Sequence, residues 1–361
     1  MGKYDWQYVH ETRASRLYNT NYMKEFLPQI HAFLKENKKL VIATVIKTWG
    51  SAPRQPGACM IISDAGDIVG SVSGGCVEGA VWKKAQEVFA NGKSQYLKFG
   101  VSDDEAWAVG LSCGGSIEVF VEMFLAHTSP HIWKVLENDL QNDKTVVLMT
   151  ALDTHAPRHL LIEVPKKNRT DDNKNGARAI NAIESPRQRK NEVFENDGIL
   201  WWTQVFPKKS QLIIIGAAHI TVDLVQLANS FDFETIVIDP RGIFSEKTNF
   251  PTPPDQLFSD WPDEVLPNFD LDNHTYAVLL THDPKIDDQA LHRLLKSEVA
   301  YIGALGSKKT HEKRIQRLLA AGFSENQIQK IHAPIGVDIQ AKSAKEIALS
   351  IIAELIKIKN G

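Results

Sequence analysis

At 361 residues the chain exceeds the roughly 250–300 residues at which a single hydrophobic core stops growing, so two domains are expected. A formal net charge of -3, with 41 Lys and Arg set against 44 Asp and Glu, gives neither nucleic acid nor a membrane surface a general electrostatic hold. Three cysteines, Cys59, Cys76 and Cys113, are too few for a disulfide framework, lack CxxC spacing for zinc, and cannot complete a four-cysteine iron–sulfur site.

The opening MGKYDWQYVHETRAS has no apolar core of the secretory kind, and no apolar run approaches the ~20 residues that span a bilayer, so a cytoplasmic location without membrane contact is expected. An amphipathic helix is predicted over Met23 to Glu36, followed by a buried strand LVIATVIKT and the loop WGSAPRQPG. In that loop Ser51 and Arg54 are candidates for holding a phosphate or carboxylate, the alternative being a surface turn. ACMIIS, DIVGSVS and YLKFG read as strands, with Cys59 an inert core residue.

Between the last two of these strands, SVSGGCVEGAV places Cys76 at a strand-to-helix turn, with the helix predicted over Val77 to Ala90. GLSCGGSIEVFVE repeats the pattern with Cys113 in the turn before a strand. Gly74, Gly75, Gly114 and Gly115 permit positive φ and leave room for a ligand at the backbone, while a thiolate is a soft donor to a metal. Glu78 and Glu118 are candidates for orienting donors or moving protons; the competing reading is a pair of buried, unreactive cysteines. TVVLMTAL, HLLIEV and GILWWTQV add strands around a polar insertion at 165–191, which has eight Lys or Arg against three Asp or Glu. The domains are drawn at 1–206 and 207–361.

From Gln211 strands alternate with helices (LIIIGAAH, TIVIDPR, YAVLLTHDP, AYIGALGS, QIQKIHAPIG), which predicts a doubly wound parallel sheet. Gly216 ends the first strand where a dinucleotide fingerprint would begin, but Ala218 and Thr221 stand at the second and third glycine positions. His219 follows, Asp239 ends the next strand as a candidate ribose acceptor, and Arg241 suits a 2′-phosphate. The alternative is a domain of this shape that binds no dinucleotide. His282 and Asp283 sit in a second loop at the ligand edge. Gly303, Gly306, Ser307 and Lys308 sit in a third, read either as an anion site or as a plain N-capped helix. SAKEIALSIIAELIKIK closes the chain as a helix capped by Ser343.

TWGSAPRQPGACMI, GSVSGGCVEGAV, FGVSDDEAWAVGLSCGGSIEVFVE, IGAAHI, VIDPR, LTHDPKIDDQAL, YIGALGSKKTH and IHAPIGVDIQAKSAKEIALSI, in this order, resemble the signatures of the XdhC/CoxI accessory proteins of molybdenum hydroxylases. The resemblance implies an α/β protein: a smaller mixed α/β N-terminal domain followed by a doubly wound, Rossmann-like C-terminal domain. It further implies a chaperone that binds the molybdenum cofactor as cargo; a homodimer is expected separately, because twofold homo-oligomers are the commonest kind. Such a protein protects the cofactor while a cysteine desulfurase supplies its terminal sulfur, then delivers it to a xanthine dehydrogenase-type apo-enzyme. Contact with the cofactor would fall to Cys76 and Cys113 with their neighbours. NAD(P) or another nucleotide in the second domain is a further expectation. The alternative function is an NAD(P)-dependent oxidoreductase using His282 or His219. No catalytic residue and no resident metal site is assigned, and the cysteine count argues against a complete xanthine dehydrogenase.

Overall fold

The computed structural model describes residues 22–52, 54–100, 115–153, 158–163, 191–196, 198–242 and 250–360. Cys113, Gly114 and the polar insertion up to residue 190 lie outside the described residues. Two units emerge, one reaching Lys208 and one starting at Lys209.

In the first unit the helix expected over 23–36 is divided. A single turn at Tyr22–Glu25 precedes α1 (Leu27–Lys35), because Pro28 lacks the N–H that would continue the earlier turn and suits the start of a new one. The first sheet contains β1 (Leu40–Trp49), β2 (Cys59–Ser63), β3 (Ile68–Gly70), β4 (Gln95–Phe99) and β5 (Ser116–Met123) in the order β3-β2-β1-β5-β4. Every neighbouring pair is antiparallel. Helix α2 (Glu78–Asn91) lays Val81, Ala85 and Val88 on this sheet and stops at Gly92, whose φ of 71° suits glycine.

The antiparallel registers have a functional consequence. The β1–β2 loop, the segment after β3, the segment after β4 and the residue before β5 all leave the same end of the sheet.

Helix α3 (Pro130–Gln141) leads to a second antiparallel sheet of β6 (Val146–Ala151), β7 (His159–Glu163), β8 (Glu192–Asn196) and β9 (Ile199–Phe206), ordered β7-β6-β9-β8. Trp202 of β9 packs on Ile46 and Phe120 of the first sheet.

The second unit is a parallel sheet of β10 (Ser210–Ile215), β11 (Phe233–Ile238), β12 (Gln256–Phe258), β13 (Thr275–Leu279), β14 (Tyr301–Ala304) and β15 (Ile331–His332). Alternate residues of β10 face opposite sides. Leu212 and Ile214 meet α4 (His219–Ser230) and α7 (Ala344–Asn360), whereas Ile213 and Ile215 meet α5 (Pro284–Leu294) and α6 (Lys308–Ala320). The order β12-β11-β10-β13-β14-β15 is that of dinucleotide folds, with the switch point between β10 and β13. Among the described residues no helix is long and apolar enough to cross a membrane.

Candidate functional site

The glycine–cysteine turn of the first unit is organised by Glu78. Strand β3 stops at Gly70, short of the expected DIVGSVS, because Ser71 and Ser73 turn inward to this carboxylate. Glu78 Oε1 accepts hydrogen bonds from Ser71 Oγ at 2.7 Å, Ser73 N at 2.9 Å and Gly74 N at 3.0 Å. Oε2 accepts from Ser73 Oγ at 2.6 Å and Gly75 N at 2.9 Å. Successive amides in such a turn form a nest for an anion, and here a side chain of the same segment supplies the charge. Burial alone would raise the Glu78 pKa, but the bonds from Ser73, Ser71 and the loop amides outweigh it and hold the carboxyl below its usual range.

Gly74 and Gly75 have φ of 81° and 125°, and a Cβ on either would meet nothing within 4 Å. Glycine is required there by backbone conformation, and the space in front stays open. Cys76 is a half-buried free thiol whose neighbours include the first core, unlike fully buried Cys59, whose thiol burial pushes up to about 12.

At the same end of the sheet, a Cβ on Gly115 would stand 2.8 Å from Trp49 O and 3.0 Å from Ser51 C. Gly115 therefore allows the chain entering β5 to touch the loop that carries Ser51. Arg54 of that loop is half-buried and has no side-chain partner among the described residues. Two residues not foreseen from sequence tether it: Asn191 Nδ2 donates to Pro56 O at 2.8 Å, and Gln204 Nε2 donates to Gly57 O at 3.3 Å. Both are far away in the chain, so no local signal marks them. Glu118 is placed differently: it accepts a hydrogen bond from the Tyr96 hydroxyl and lies 3.9 Å from Lys47, across the strands that flank β5. Ser51, Arg54, Gly74, Gly75, Cys76 and Gly115 thus share one end of the sheet, while Glu118 serves strand pairing.

In the second unit Gly216 turns the chain out of β10 with φ of 108°. A Cβ there would lie 2.9 Å from Thr281 Cγ2 and 3.1 Å from Thr281 N, so the switch-point loops touch through this glycine. Gly216→Ala is expected to lower stability by about 2 kcal/mol through overpacking and strained φ. A urea midpoint equal to that of the parent would contradict this.

Asp239 ends β11 fully buried, and its acceptor sites are filled. Oδ1 accepts from Arg241 N at 3.0 Å and Arg241 Nε at 2.9 Å; Oδ2 accepts from Ala217 N at 2.8 Å and Arg241 Nη2 at 2.7 Å. With four donors already on a carboxylate that is 0% exposed, a ribose could use Asp239 only by displacing Ala217 or Arg241. Thr221, at the third fingerprint position, is buried and donates its hydroxyl to Gly216 O at 2.6 Å. These residues do not fit the usual dinucleotide grip.

The other expected residues divide between structural and open roles. Asp283 caps α5 by accepting from Lys285 N at 2.9 Å, and Ser307 caps α6 by accepting from Thr310 N at 3.2 Å. A Cβ on Gly303 would meet Ile335 Cδ1 at 2.5 Å, so this glycine answers to core packing, while Gly306 has the φ of 134° of a turn. His219 opens α4 and is exposed, and Lys308 is exposed in the first turn of α6. His282 holds φ of 61°, uncommon outside glycine.

Comparison with known proteins follows both units. Residues 212–355 match the XdhC Rossmann domain, and residues 33–100 match the XdhC and CoxI family. A Bacillus subtilis protein named as a probable xanthine dehydrogenase subunit is 28% identical over 340 residues, covering 93% of this chain and 98% of the relative. The Escherichia coli molybdenum cofactor insertion chaperone PaoD is 27% identical over 327 residues, covering 90% of this chain and 85% of its own. A crystal structure of a Bacillus halodurans protein described as a xanthine dehydrogenase has a TM-score of 0.67 and 29% identity, covering 92% of this chain and 94% of that one.

Proposed function

Because this chain belongs to the XdhC and CoxI family, we propose that it is an accessory protein that binds the molybdenum cofactor as cargo. In this reading it shelters the cofactor in the cytoplasm while a cysteine desulfurase supports installation of the terminal sulfur, and passes it to a xanthine dehydrogenase-type apo-enzyme. It works as a homodimer, with 1–206 and 207–361 as its two domains. The observation that carries the reading is the half-buried Cys76 thiol, fronted by two glycines with open space, at the sheet end that also presents Ser51 and Arg54. A soft sulfur donor at the same sheet end as a guanidinium that has no side-chain partner among the described residues suits a ligand that joins a thiolate-bound metal to anionic groups. The whole-length similarity to a molybdenum cofactor insertion chaperone supports the same role. Cys113 is proposed as a second contact with the cofactor.

The name xanthine dehydrogenase carried by two relatives describes the client in this reading, since three cysteines cannot complete a four-cysteine iron–sulfur centre. A dinucleotide oxidoreductase would need Asp239 released from Ala217 and Arg241.

The test is retention. Cofactor released from a molybdenum hydroxylase is mixed with the purified chain, unbound material is removed by gel filtration, and molybdenum and pterin are quantified in the protein fraction. Parent protein is expected to retain both and to activate apo-enzyme. Cys76→Ala is expected to retain several-fold less with an unchanged melting temperature. No retention by the parent, or equal retention by the variant, overturns the reading.

A further inference from the structure

A second feature of the Rossmann unit concerns a cavity of about 250 Å³ beside the N-terminal end of α6. It is smaller than the ~300–1,000 Å³ of sites that swallow whole small molecules, so it takes one end of a ligand. Lys309, Lys313, Arg314 and Arg317 line it, with the Ser307 cap at its edge and Asp287 opposite.

The charges do not balance inside the protein. Arg317 is neutralised by Asp288, with bonds of 2.6 and 2.9 Å from Nε and Nη2. Arg314 is 2% exposed, yet its nearest carboxylate oxygen, on Asp287, is 3.7 Å from Nη2. Its Nη2 donates to Leu305 O at 3.0 Å, and its buried Nε has no acceptor among the described residues. Asp287 Oδ1 is itself held by Thr281 Oγ1 at 2.6 Å. With Asp287 set against Arg314, the charges of Lys309 and Lys313 remain, and neither forms an ion pair among the described residues. The first amides of α6 add to them, since a helix leaves its leading N–H groups without intrahelical acceptors and Ser307 satisfies that of Thr310. A buried guanidinium N–H lacking an acceptor is costly unless something in the cavity compensates it.

We propose that this cavity is a phosphomonoester site, in which Lys309, Lys313 and the leading amides of α6 hold a phosphate dianion with Arg314 as the buried charge behind them. Two uncompensated cations match two negative charges. The site is distinct from the Gly216 turn, where a dinucleotide would place its pyrophosphate. It depends on the cofactor-carrying role only for the identity of the phosphorylated ligand.

Calorimetric titration of the full chain with inorganic phosphate, at constant ionic strength, tests it. Saturable binding is expected for the parent and at least tenfold weaker binding for the Lys309→Ala, Lys313→Ala double variant. Both lysines are exposed, so the fold should survive, which a melting curve verifies. Lys330→Ala, which removes an exposed charge outside the cavity lining, is expected to bind as the parent does. Absence of phosphate binding by the parent, or equal affinity of the double variant, overturns the site. No molybdenum cofactor enters this titration. Failed cofactor retention with intact phosphate binding would therefore count against the chaperone role alone.

Discussion

Asp239→Ala is expected to destabilise the Rossmann unit by about 3 kcal/mol, the lower end of what breaking a buried charge pair costs. The lower end applies because the Arg241 side chain is 33% exposed and can recover water, whereas Asp239 is 0% exposed. The variant also leaves the Ala217 amide, first in the turn after Gly216, without its acceptor. Hydrogen exchange resolves the effect by position: amides at 215–241 should exchange faster, while those of β1 to β5 keep the parent rate. Unchanged exchange at Ala217 would refute the assignment. Asp239→Asn should fall between parent and alanine, since its carbonyl can still serve one donor but loses the charge on Arg241. Burial alone would raise the Asp239 pKa, but the bonds from Arg241 and Ala217 prevail and keep it low. A depressed carboxyl contributes stability at pH values above its unfolded pKa, and that contribution is lost as pH falls through the folded value. The Asp239→Ala deficit should therefore be full at neutral pH and shrink in acid.

Glu78→Gln should be nearly as damaging as Glu78→Ala, at about 3 kcal/mol, although glutamine keeps the size of the side chain. Each carboxylate oxygen faces at least one backbone N–H, Gly75 on one side and Ser73 and Gly74 on the other. A glutamine amide nitrogen put in either place meets donor with donor. Loss of the anion should loosen residues 71–77 and expose the thiol beside them. Alkylation of Cys76 is expected to accelerate several-fold in both variants, with no change at buried Cys59. Equal alkylation rates would show that Glu78 does not order the turn. Its folded pKa also lies below the usual glutamate value, so the order it confers is present at neutral pH and lost in acid. In the parent, Cys76 should grow more accessible to a pH-independent thiol reagent as the pH of the medium falls through the depressed Glu78 pKa.

Both variants concern residues that sequence singled out for ligands and whose carboxylates the fold employs internally. Gly74, Gly75, Gly216 and Gly306 were readable as turn glycines, and each has positive φ. The cap Ser307 was readable as well, because a cap bonds two or three residues ahead, whereas Asp283, expected in a ligand loop, also proves to be a cap. Alternating strands and helices after Gln211 foretold the parallel sheet, since burial on both faces needs continuous apolar strands. Strands β8 and β12 were missed because both lie at sheet edges, where no residue is fully buried and the apolar pattern is weak.

By itself, then, the sequence determined the order of elements, the turn glycines, the helix caps and the family, all of which depend on neighbours within a few residues or on ordered motifs. Tertiary structure alone decided which acceptor each donor meets. Asp239 reaches Ala217 across 22 positions, Asn191 reaches Pro56 across 135, and Arg314 lies against Asp287 from a separate helix. Hydrogen bonds act over about 3 Å and demand alignment, so their partners are chosen by how packed strands and helices bring distant side chains together.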